Sequence, residues 1–85
     1  MKLEIIKSLK EIEGILIEKN EKYGDSALSP CRIFSSCNNI EGILVRIDDK
    51  LSRIKNLGIY DNSEDTIDDL IGYLILLKIA LKIQE

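Results

Sequence analysis

Histidine is absent from the sequence, and cysteine occurs only at positions 31 and 37. Without imidazole, histidine-based acid–base and nucleophilic catalysis are excluded. Two thiols outside a CxxC spacing do not make a common zinc framework either. Cys31 and Cys37 are close enough in sequence to pair, but free buried thiols in a reducing cytosol are the expectation. Blocks of lysine or arginine are missing too: the 12 basic residues are scattered among 15 acidic ones, for a net charge of −3. Duplex DNA or RNA, which needs a continuous cationic footprint, is therefore not the expected partner. Long apolar runs are also lacking. The longest, GYLILLKIALKI, is broken by lysines and too short for a bilayer. The N-terminal stretch MKLEIIKSLKEIEGIL places glutamates at amphipathic spacing, unlike a signal peptide. A cytoplasmic protein with no membrane contact is expected.

The 85 residues make one domain, 1–85, and a composition 45% hydrophobic and 32% charged is that of a globular chain. Three helices are predicted. In the first, about 2–22, Ile5, Leu9, Ile12 and Leu16 recur at i, i+4, i+7 and i+11, and Ile6, Ile15 and Ile17 widen that face. Tyr23 continues the stripe, Asn20 lies near it, and Gly24 suits a left-handed cap. The segment DSALSPCRIFSS (25–36) breaks periodicity around Pro30, while Leu28, Ile33 and Phe34 can pin it to the bundle. So long a connection in so small a domain is often functional. The second helix, about 38–57, has Asn38 or Asn39 as N-cap, Glu41 in its first turn and Gly58 just past its end. The third, about 64–83, has Ser63 as N-cap.

That third helix is apolar almost all round, from Leu70 to Ile83. A helix of this kind must be surrounded, and two partner helices cannot cover it fully. The expected architecture is therefore all-α: three helices per chain in an oligomeric, at least dimeric, bundle, with a twofold dimer as the commonest form.

Chemistry concentrates on the second and third helices. Arg46, Asp49, Lys50 and Arg53 follow i, i+3, i+4, i+7, a stripe roughly 110° from the centre of the apolar one. It can line a groove and grip phosphate, the arginines in bidentate fashion. The plain alternative is a laced surface in which Asp49 pairs Arg46 and Arg53. On the third helix Asp65 and Asp69 align with Gly72, Tyr73, Leu76 and Ala80, so carboxylates continue a largely apolar stripe. Inward carboxylates are costly unless paired with cations or metal. Asp69 either takes part in a site or pairs with Lys50 or Arg53 across the bundle. Acidic side chains at i, i+4 can hold magnesium, which completes its shell with water and substrate phosphates and can activate water for pyrophosphate cleavage. Asp49, Asp65 and Asp69 are the candidate metal ligands. Tyr23 and Tyr73 can stack on a base, and Asn20 can hydrogen-bond its edge.

The segments KNEKYGDSALSP (19–30), ILVRIDDKLSRIKNL (43–57) and EDTIDDLIGYLIL (64–76), in this order, resemble the phage and bacterial family called nucleotide modification associated domain 1. That family is similar to the MazG-like all-α NTP pyrophosphatases, and the resemblance spans roughly residues 15–82. It implies an oligomeric helical bundle that binds nucleotides, with magnesium held by acidic residues of two helices. By position, Asp69 matches the aspartate of the MazG-type ExxD motif, while Thr66 stands where its glutamate would fall. The second helix has no ExxE pair and offers Glu41, Asp48 and Asp49 among its cations.

Three functions follow as expectations. One is a magnesium-dependent nucleoside triphosphate pyrophosphohydrolase. The second is a module that sequesters a nucleotide, including a cyclic or modified signalling nucleotide of host antiviral defence. The third is an interaction protein, such as a phage inhibitor of a host protein, that docks through the third helix and takes no nucleotide.

Overall fold

The computed structural model describes residues 1–24 and 38–84, residue 84 by its backbone alone. Its helices are α1 (Lys2–Tyr23), α2 (Asn39–Leu57) and α3 (Thr66–Gln84), with no strand among the described residues. Cys31, Cys37 and the segment around Pro30 lie outside them. No helix there is long and apolar enough to cross a membrane.

The local signals act largely as their chemistry suggests. Asn38, extended at φ −74° and ψ 170°, accepts the Glu41 amide on its side-chain oxygen at 2.8 Å and so caps α2. Gly58 ends that helix with φ +88°, and its amide returns to the Ile54 carbonyl at 2.8 Å. Gly24 ends α1 with φ +65° but ψ −155°, so the cap is not the left-handed helical one expected. The start of α3 also differs. The helix begins at Thr66, later than the expected 64, because the Ser63 hydroxyl is engaged by Arg53 and Asp61 and does not cap.

Helix α3 is the centre of the fold. Both α1 and α2 pack on it, and among the described residues they do not pack on each other. Lys19 meets Asp69, and Leu16 lies over Gly72, so α1 runs antiparallel to α3. Lys50 meets Asp69 while Arg53 meets Glu64 and Asp61, so α2 is antiparallel to α3 as well. Helices α1 and α2 are therefore parallel.

Helix α1 comes close to α3 at Gly72. A Cβ built there would lie 3.0 Å from Cδ2 of Leu16, so the missing side chain is what lets this leucine seat on α3. The apolar core is thin. Among the described residues Ile12, Ile43 and Ala80, one per helix, are the buried hydrophobic side chains.

Candidate functional site

Where α1, α2, the turn before α3 and the start of α3 meet, six charged groups converge. Residues Lys50 and Arg53, at i and i+3, project from one flank of α2 toward the start of α3. Lys50 donates to Oε1 of Glu64 at 2.9 Å and lies 3.1 Å from Oδ2 of Asp69. From the other side Lys19 of α1 donates to Oδ1 of the same Asp69 at 3.1 Å. Arg53 lies 3.2 Å from Asp61 and bonds to the Ser63 hydroxyl, which itself donates to Asp61. The Arg53 Nε is 3.4 Å from Oε1 of Glu64, but this buried N–H makes no hydrogen bond among the described residues.

Partial burial makes this more than a surface lattice. The side chains of Asp69 and Lys50 are 17% and 19% exposed, against 55% for Lys19. Burial alone would push the Asp69 carboxyl up. The hydrogen bonds and charges of Lys50 and Lys19 outweigh it and hold the group below its usual 3.8. The bond to Glu64 raises Lys50 above 10.5 despite partial burial, helped by Asp69. Asp61 is lowered, chiefly by the Ser63 hydroxyl and then, against some burial, by Arg53. Three cations face three carboxylates, so the cluster is neutral overall.

Beside it, between the end of α2 and the start of α3, lies a cavity of about 180 Å³ lined by Arg53, Ile54, Asp61, Glu64, Asp65 and Thr66, among others. Pockets that enclose a drug-sized ligand run from roughly 300 to 1,000 Å³. This one is too small for a whole nucleotide, and its charged lining is Arg53 against the carboxylates of Asp61, Glu64, Asp65 and Asp68.

Of the residues singled out by sequence, Lys50, Arg53 and Asp69 are brought together, and Asp69 pairs with Lys50 across the bundle. Arg46 and Asp49 stay exposed on α2, in no ion pair among the described residues. The laced surface in which Asp49 pairs both arginines is corrected: Arg53 turns to Asp61 and Glu64. The reason is register. Carrying the Lys50 to Asp69 contact one turn back sets Arg46 level with Tyr73, which offers no charge. Tyr73 is half-buried, one turn beyond Asp69. Asp65 is exposed at the cavity rim, and its backbone carbonyl accepts the Asp69 amide. Asp49, Asp65 and Asp69 do not converge, and among the described residues no group of three acidic or thiol side chains can hold a metal ion. Asn20 and Tyr23 sit exposed at the end of α1, with the Lys22 ammonium 5.7 Å from the centre of the Tyr23 ring.

Sequence reasoning missed Lys19, Asp61, Ser63 and Glu64. A signal existed for Lys19: it is the next step, i+7 from Ile12, of the apolar stripe of α1, and a cation there must face the bundle. The turn residues have no periodicity to betray them.

Neither a family model, nor a curated protein, nor a solved structure matches the chain.

Proposed function

We propose that this chain is a nucleotide-binding helical protein of the nucleotide modification associated domain 1 type, acting as an assembly of at least two copies. Lys50, Arg53 and Lys19 form its phosphate-facing end. The observation that carries the reading is Asp69, one mostly covered carboxylate held between ammonium groups from two helices, with Arg53 and a small cavity alongside.

The buried Arg53 Nε, which makes no hydrogen bond among the described residues, offers a donor to an entering oxygen. The base lies outside so small a cavity, toward Asn20, Tyr23 or Tyr73. A magnesium ion carried by the nucleotide phosphates would need only one or two protein carboxylates, and Asp65, exposed at the cavity rim, is the candidate.

The test is a thermal-shift panel of mono-, di- and triphosphate and cyclic nucleotides, with and without magnesium, followed by mass spectrometry of the mixture. A ligand at about 100 times its dissociation constant adds about 2.7 kcal/mol. The resulting rise in Tm is expected to be lost in Lys50→Ala. Recovery of intact ligand identifies sequestration, and release of pyrophosphate identifies hydrolysis. If no nucleotide raises the Tm, the reading falls.

A second reading, a protein-interaction module, is favoured by one specific observation: Ile67, Ile71 and Leu74 form an exposed apolar stripe on α3. It predicts no nucleotide effect and no loss of partner binding in Lys50→Ala.

A further inference from the structure

Among the described residues, Glu64 alone reaches both cations that α2 contributes to the cluster. Its Oε1 accepts from Lys50 at 2.9 Å and lies 3.4 Å from the Arg53 Nε. One carboxylate oxygen thus stands between an ammonium and a guanidinium N–H, the place an oxygen of a phosphoryl group takes when both cations hold it. Glu64 also lines the cavity, together with Arg53. The three carboxylates of the cluster are not equally fixed. Asp69 belongs to α3, is 17% exposed and is held by two ammonium groups. Asp61 is 23% exposed and is held by Arg53 and the Ser63 hydroxyl. Glu64 is 42% exposed and precedes α3 in the turn, so its arm turns to solvent by side-chain rotation without moving a helix.

We infer that Glu64 is an internal plug: its carboxylate stands in for a phosphoryl oxygen between Lys50 and Arg53, and it swings out when a phosphoryl group binds there. The inference rests on the phosphate-facing role proposed for these cations and adds its regulation. With Glu64 in place, three cations face three carboxylates and the cluster offers an anion no net charge. With Glu64 turned out, Lys50 and the Arg53 Nε are free to donate, and one positive charge is in excess. The guanidinium does not follow the glutamate, because Asp61 and the Ser63 hydroxyl hold its Nη2. A bound phosphoryl group replaces the ion pairs that Glu64 gives up, so the plug lowers affinity without closing the site.

Isothermal titration calorimetry of the full chain tests this, with inorganic phosphate in one arm and a nucleoside triphosphate in the other. Glu64→Gln keeps the shape of the side chain and removes its charge. It is expected to bind phosphate roughly tenfold tighter than the unmodified chain, or better. Adding Lys50→Ala should abolish that gain. Asp68→Asn removes one negative charge from the same cavity wall but bridges no cations, and is expected to change affinity by less than about threefold. An equal gain in Asp68→Asn overturns the inference, because Glu64 is then one charge among several. If the unmodified chain binds nucleotide and Glu64→Gln binds it no tighter, the plug falls while the phosphate reading stands. If neither chain binds phosphate or nucleotide, both fall together. Should Glu64→Gln fail to fold, the Glu64 carboxylate carbon is followed by NMR in the unmodified chain. Saturating phosphate is expected to move its resonance to that of a solvent-exposed glutamate, and an unmoved resonance overturns the inference.

Discussion

Lys50 and Asp69 meet at 3.1 Å across the contact between α2 and α3, with less than a fifth of either side chain exposed. Lys19 reaches the other oxygen of the same carboxylate but is itself mostly in solvent. The two lysines are therefore unequal. Removing either member of the covered pair strands its partner, so Asp69→Asn and Lys50→Ala are each expected to cost about 1–3 kcal/mol in urea unfolding. Lys19→Ala is expected to cost less than about 1 kcal/mol. In a double-mutant cycle Lys50 and Asp69 should couple by at least about 0.5 kcal/mol. Equal losses for the two lysines would show that exposure does not rank them.

Acid should weaken the fold through the same carboxylate. Asp69 is held below its usual 3.8, so its stabilising share is fully present above that value. It is lost as pH falls through the lowered, folded-state value. The raised Lys50 acts in the opposite sense: its share is present below 10.5 and is lost as pH climbs through the raised value. Stability measured by urea unfolding is expected to be level between these limits. It should fall below about pH 4, with a shallower fall in Asp69→Asn. An equally steep acid limb in that variant would assign the acid loss to other groups.

Gly72 tests how closely α1 must sit on α3. Alanine there gains up to about 1 kcal/mol of helix propensity. Its Cβ meets only the far end of Leu16 at 3.0 Å, a side chain able to yield. The net change in unfolding free energy is expected to stay within about 1 kcal/mol. Leucine cannot be accommodated in this way and is expected to cost about 1–3 kcal/mol. In that background the added effect of Lys19→Ala should vanish, because α1 no longer brings Lys19 to Asp69. A persistent effect would place Lys19 against Asp69 without the Leu16 contact.

Much of the local structure was legible in the residues. Asn38 caps α2 and Gly58 ends it, since an amide-accepting side chain and a residue free at positive φ act within a few residues of themselves. The apolar circumference of α3 called for a helix that is surrounded, and α1 and α2 both pack on it. Ser63 misled, because a hydroxyl three residues before a helix is a cap only if nothing else takes it, and Arg53 and Asp61 do. Spacing grouped Arg46 with Lys50 and Arg53, yet it could not say which turn of α2 would face a carboxylate.

From the chain of amino acids alone came the all-helical character, the three helices to within a few residues, and the surplus of apolar surface on the third. These follow from short-range periodicity and capping. Tertiary structure decided that α1 and α2 run parallel, both packed on α3, and that Lys19 joins the cluster around Asp69. Such meetings depend on how helices distant in sequence are aligned, and a shift of one turn, about 5.4 Å, exchanges every charged partner.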